Sequence, residues 1–331
     1  MRLLPLVPAI VMPFLWVASA SAQTEGFSFQ DTAGDHLDVS LNGKPLVRYQ
    51  YAFDASTPER LNETYKPYLH VLHADGSGVL TKGAGGEFPH HRGLFLGWNK
   101  LTTAAGVIDR WHMKGGNIVH QKILSQKADK DSASFTALIH WQGSTDAPVI
   151  AEERTITLLP APAPAYVLVE LKSVLKPLTG ETKLDGDPEH AGIQFRPSSN
   201  IDLNQTAFIY PKANAEPHKD RDYPWVAEKM TVDGKRYTVA LINHPENPKD
   251  TAFSAYRNYG RFGGFFRTTI PADSALTLQV RLLVAEGETL TPELIQKAAN
   301  NFSGKNEPTP EVTDKPAEIP APKKEPAKTK N

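Results

Sequence analysis

The chain has 331 residues, carries 36 Lys plus Arg against 37 Asp plus Glu for a formal net charge of −1, and contains no cysteine. The near balance lacks the basic excess of a nucleic-acid binder, and the missing cysteines remove disulfides, thiol nucleophiles and thiolate metal sites. Any chemistry falls to histidine, carboxylate and main-chain groups, and the expected partner is a small-molecule or glycan ligand.

Residues 1–22 read as a signal peptide: Arg2, an apolar stretch from Leu3 to Val17, then Ala18-Ser19-Ala20-Ser21-Ala22 before Gln23. The stretch is shorter than a bilayer span of roughly 20 residues, and Pro5, Pro8 and Pro13 interrupt it. A periplasmic or secreted protein without a membrane span in its mature form is expected. It would hold one domain over 23–303 and a polar tail over 304–331.

The next elements are strands. Asn42-Gly43 between His36–Leu41 and Pro45–Tyr51 is a hairpin signal, because both turn positions want positive φ. Tyr68–His73 precedes the turn Asp75-Gly76, and Asp233-Gly234 joins Trp225–Val232 to Arg236–Ile242. Further strand candidates are Ile118–Leu124, Ser134–Trp141, Val149–Leu158, Tyr166–Leu175, Ile193–Arg196, Phe262–Ile270 and Leu276–Val284. Regular spacing of short strands predicts an all-β, antiparallel two-sheet sandwich.

One helix is expected at the C-terminal end, on the sandwich edge. Thr291 caps it, Pro292 takes the first helical position, and Leu294, Ile295, Ala298 and Phe302 recur at helical spacing before Gly304. Beyond it the composition falls to Pro, Lys, Glu, Thr and Ala, which predicts disorder.

Chemistry concentrates in a few runs. Gly83-Ala84-Gly85-Gly86-Glu87-Phe88-Pro89-His90-His91-Arg92-Gly93 is a glycine-rich loop delivering two imidazoles and a guanidinium toward Leu94–Trp98. Adjacent strand residues point to opposite faces, so His90 and His91 share a site only from a loop or bulge. By the same rule His70 and His73 fall on opposite faces. Asp109-Arg110-Trp111-His112 begins a second loop. Asp187-Pro188-Glu189-His190 leads into a strand whose period puts His190, Gly192, Gln194 and Arg196 on one face, with the glycine gap suiting a ligand's close approach. His244-Pro245 and Tyr256-Arg257-Asn258-Tyr259 add an imidazole, stacking faces and donors. Two chemistries fit: imidazole–carboxylate acid/base work, or a Zn, Cu or Fe site built from imidazoles.

Pro67-Tyr68-Leu69-His70, Phe88-Pro89-His90-His91-Arg92-Gly93-Leu94, His190-Ala191-Gly192-Ile193-Gln194-Phe195-Arg196, His244-Pro245 and Tyr256-Arg257-Asn258-Tyr259-Gly260 resemble, in order, the signatures of a bacterial family catalogued as methane oxygenase PmoA. The resemblance spans roughly Phe27 to Glu286. It implies an exported sandwich similar to the galactose-mutarotase-like supersandwich, acting on sugars as a lyase, hydrolase or epimerase. His90, His91, His190 and Glu189 would then be the catalytic groups, with Glu87 as an alternative carboxylate. Arg92, Gln194, Arg196, Tyr256, Arg257, Tyr259, His70, His112 and His244 would bind substrate. The oxygenase label implies instead a metal-dependent oxidoreductase using His70, His90, His91, His112 or His244, and a non-catalytic glycan-binding module is the third reading.

Overall fold

The computed structural model describes residues 25–187 and 189–319. The expected signal peptide lies outside them, as does the tail beyond Ile319. Three antiparallel sheets make the fold. The first has eight strands in the order β1 (Phe27–Thr32), β2 (His36–Leu41), β3 (Lys44–Gln50), β4 (Tyr68–Val71), β5 (Leu94–Trp98), β13 (Ala191–Phe195), β18 (Phe262–Phe265) and β17 (Ala252–Phe253). The second runs β21 (Thr313–Pro316), β14 (Ala207–Tyr210), β15 (Trp225–Val232), β16 (Lys235–Asn243), β20 (Leu276–Glu286), β11 (Val167–Pro177), β10 (Pro148–Leu159), β9 (Ala133–Gln142) and β8 (Ile118–Ala128). A small sheet of β19 (Thr268–Ile270), β12 (Thr182–Asp185), β6 (Lys100–Thr103) and β7 (Gly106–Ile108) stands beside them.

The two large sheets share one core, to which the first gives Val47, Leu69, Leu96 and Ile193 and the second Ile139, Ile156, Val169 and Leu282. Phe29 against Phe135 and Trp98 against Trp141 join them across the interface. The expected large antiparallel two-sheet sandwich is what the chain builds. Both hairpins form as expected, with φ of 52° and 77° at Asn42 and Gly43, and 51° and 76° at Asp233 and Gly234. No helix among the described residues is long and apolar enough to cross a membrane.

Four expectations are corrected. Phe262–Ile270 is not one strand: it breaks at Phe266-Arg267, and its halves join different sheets. A short helix α1 (Pro58–Thr64), capped by Thr57, was not foreseen. Helix α2 (Pro292–Ser303) has the expected Thr291 cap and a left-handed Gly304, but it covers the outer face of the nine-stranded sheet rather than its edge. There Leu290, Ile295 and Ala298 pack on Trp225, Ala240 and Leu283, and Trp225 donates its indole N–H to Gln296 at 2.9 Å. The described part of the expected disordered tail holds a strand, because the main chain of Thr313–Pro316 pairs with β14 and needs no large apolar side chain to do so.

Candidate functional site

The site forms on the face of the eight-stranded sheet turned away from the shared core. Along β5, Leu94, Leu96 and Trp98 enter that core while Phe95 points the other way, where it joins Tyr68 and Trp111 in a separate aromatic cluster. The loop carrying Trp111 lies directly across β5 at Gly97, whose missing side chain makes room: a Cβ there would stand 2.3 Å from the Arg110 carbonyl oxygen. Arg110 anchors this loop by donating to the carbonyls of Asp109, Lys114, Gly115, Gln142 and Gly143.

Two turns of the same design meet over this floor. Asp109 accepts the main-chain N–H of Trp111 at 2.9 Å and Nδ1–H of His112 at 2.8 Å. Asp187 accepts the main-chain N–H of Glu189 at 3.0 Å and Nδ1–H of His190 at 2.7 Å, while Asn99 holds its second oxygen at 2.9 Å. Burial pushes both carboxyls up, but the hydrogen bonds they accept, led by those from the histidines, outweigh it and leave them below the ordinary carboxylate range. The His112 and His190 rings lie 5.1 Å apart, and Trp111 stands 6.0 Å from His190.

His90 and His91 join from the loop before β5, 4.3 Å from each other, with His90 4.5 Å from His112 and His91 5.6 Å from Trp111. Burial, assisted by Lys66, His112, His190 and Arg261, lowers His90 to about 3, and burial together with Arg261 drives His91 lower still. Both are neutral at pH 7 and supply no proton there. Beside the second turn opens a cavity of about 350 Å³, lined by Asp187, Glu189, His218, Arg221, Phe253 and Tyr256. Small-molecule pockets run from about 300 to 1,000 Å³.

Of the histidines expected from sequence, His90, His91, His112 and His190 come together, and His70 and His244 do not join them. Glu189 is not the carboxylate of His190: it is ion-paired with Arg257 and accepts the Tyr256 hydroxyl at 3.3 Å, so these three residues form one unit at the cavity wall. Other expected binding residues do structural work. Arg92 is fully buried and donates to the carbonyls of Asn62, Glu63 and Pro89 while lying 4.0 Å over the Tyr65 ring. Gln194 is buried and accepts from Arg261 at 2.8 Å. Arg196, pushed down to about 10 by burial, stacks on Tyr259 at 4.7 Å and donates to its carbonyl. The Gly192 gap receives the Gly264 main chain rather than a ligand, since a Cβ would stand 1.9 Å from that carbonyl oxygen. His70 bonds Thr81 at 2.9 Å, and His244 packs against Phe302 of α2 at 4.9 Å.

Sequence reasoning gave no role to Asp109, Asp187, Trp111 or Arg261. The first two had a signal: Asp-x-x-His occurs in both loops, at the spacing that lets a carboxylate accept from an imidazole one turn later. Among the described residues no group of three or more His, Asp or Glu stands in an arrangement that could hold a metal ion.

No curated protein matches the chain. Among solved structures, a putative mutarotase (YeaD) from Salmonella typhimurium aligns at 11% identity and TM-score 0.37 over 79% of this chain and 94% of that one. Heparan sulfate lyase HepC from Pedobacter heparinus aligns at 9% and 0.37, over 80% of this chain and 36% of that one. A putative kojibiose phosphorylase from human microbiome aligns at 8% and 0.35, over 77% and 31%. The chain thus spans about a third of the length of the latter two. Nothing in these comparisons links it to methane oxygenase PmoA. Residues 36–300, which include the whole histidine cluster, match a family of unknown function, and the chain belongs to that family, DUF6807.

Proposed function

We propose that this protein is carbohydrate-active and works outside the cytoplasm, with His112 and His190 as an acid–base pair acting on a sugar or glycan fragment in the adjoining cavity. The observation that carries the reading is the meeting of the two Asp-x-x-His turns, their imidazoles 5.1 Å apart. An ionised carboxylate can only accept, so each aspartate fixes the proton on Nδ1 and leaves Nε2 to exchange a proton with a ligand.

One neutral imidazole then takes a proton from a sugar C–H or O–H onto Nε2, and the other, in its protonated form, returns one to the leaving or re-forming position. Epimerisation, elimination and hydrolysis share this pair of transfers. Neutral His90 and His91 are left with contact roles. The Glu189–Tyr256–Arg257 unit offers acceptors and donors for ring hydroxyls, and the aromatic rings of Tyr256 and Phe253 offer a face for the sugar's C–H side. Location outside the cytoplasm rests on the leader pattern of residues 1–22.

A thermal-shift panel of neutral and acidic mono- and disaccharides tests the reading. At least one sugar should raise the melting temperature of the native protein and lose that effect in a His112→Gln/His190→Gln variant. A panel without a stabilising member, or equal shifts in the variant, would overturn it.

A further inference from the structure

His91 is 3% exposed, and neither of its ring nitrogens has a hydrogen-bond partner. Trp111 is fully buried with its indole N–H equally unpartnered, and the two rings stand 5.6 Å apart at 76°. Buried polar groups are normally satisfied, and one left without a partner costs free energy. Two such groups side by side in the candidate site mark a place where a polar ligand would be held.

Three rings stack on His91: Phe95 at 6.0 Å, Tyr259 at 6.2 Å and Phe88 at 5.3 Å. Phe95 is fixed in β5 and fully buried. Phe88 is different. It is partly exposed, stands in the left-handed region with φ of 52°, and ends a glycine-rich loop whose Ala84, Gly86 and Glu87 are exposed. A non-glycine residue held there is a strained conformation, of the kind that marks switch and clamp positions.

We infer that Phe88 is a displaceable cover over a hydroxyl-binding subsite formed by His91 and Trp111. This rests on the carbohydrate reading and names one subsite of it. A neutral imidazole offers one donor and one acceptor, and indole offers one donor. Adjacent sugar hydroxyls match that set: their oxygens accept from the Trp111 N–H and the His91 N–H, while one hydroxyl donates to the unprotonated nitrogen of His91. An acceptor-only anion would leave that nitrogen unpaired. When Phe88 swings away, the part-exposed Tyr259 ring remains as a face for the sugar ring.

Modification of the full-length protein by diethyl pyrocarbonate, mapped by mass spectrometry at pH 7, reads the cover directly, with the exposed His218 as reference in the sugar-free arms and added N-acetylhistidine as reference in the sugar arms. His91 should react slowly in the native protein, and about tenfold faster in Phe88→Ala as the closed state is lost. Phe88→Leu, which keeps an apolar side chain, should fall between and serves if the alanine variant folds poorly. Excess D-glucose should protect His91, and the same concentration of sodium sulfate should not. A His91 that stays unreactive in both variants while His218 reacts is a sealed core residue, and the inference falls. Sugar protection of His112 and His190 without protection of His91 would sink the subsite and leave the acid–base reading standing. Protection of none of the three would count against both.

Discussion

His112 and His190 come from loops 78 residues apart, yet they stand ring to ring at 5.1 Å, each held through Nδ1 by the aspartate three residues before it. That relationship assigns four side chains to one task, and it makes the aspartates as testable as the histidines.

Replacing Asp109 or Asp187 by Asn should cost about 100-fold in turnover on whichever sugar the panel selects, within the range typical of general acid–base catalysis. At Asp109, whose other oxygen holds two main-chain N–H groups, the amide would donate to Nδ1, move the imidazole proton to Nε2 and remove the lone pair facing the ligand. At Asp187, where one oxygen serves both Glu189 and His190, the change leaves His190 with a neutral acceptor in place of a charged one. Steady-state kinetics beside a melting curve separates this from unfolding. A large loss in melting temperature with unchanged kcat in the folded fraction would reduce the aspartates to structural residues.

Stability should fall on acidification. His90 and His70 are lowered from 6.5 to about 3 and about 4, chiefly by burial, and burial lowers His91 as well. Between about pH 4 and 6.5 the unfolded chain binds protons that the folded chain refuses, so stability rises with pH across that window and levels off above it. Urea midpoints at pH 5 and pH 7 measure this, and His90→Gln should flatten the difference. A midpoint unchanged or higher at pH 5 would contradict the assignment.

How much of this was legible follows from the range of the interactions. Asn42-Gly43, Asp233-Gly234 and the Thr291–Gly304 helix were readable because each is set by residues within a turn of one another. The break at Phe266-Arg267 was not, because it depends on two separate sheets, each claiming half of one apolar run. Strand Thr313–Pro316 hid in a composition without large side chains, its support coming from main-chain pairing with Ala207–Tyr210. In the site, His90 and His91 were found by density of motif. Arg92 misled, since a guanidinium that satisfies helix-end carbonyls and one that grips a ligand look alike in sequence. Whether neighbouring histidines share a face also depended on their lying in a loop before β5.

Arg92→Met should destabilise the fold by about 3 kcal/mol, because it strips a charged donor from the final carbonyls of α1 and from Pro89. Ligand affinity of the folded protein should be unchanged. Calorimetric binding beside denaturant unfolding checks both, and a variant of native stability with weakened binding would return Arg92 to the substrate.

Two glycines should respond differently to the same substitution. Gly192→Ala drives a Cβ to 1.9 Å from the Gly264 carbonyl oxygen at φ of 82° and should cost about 3 kcal/mol or more. Gly85→Ala at φ of 78° meets nothing within 4 Å and should cost about 1 kcal/mol. Equal losses in denaturant unfolding would mean that Gly192 is not pressed against β18.

The most direct measurement is a crystal soaked with the sugar that best stabilises the native protein. A ligand oxygen should lie within hydrogen-bond reach of Nε2 on both His112 and His190, with the sugar in the cavity lined by Glu189, Phe253 and Tyr256. A ligand bound instead at the cleft of Lys44, Asp75 and Lys235, or in the cavity between Tyr223 and α2, would contradict it.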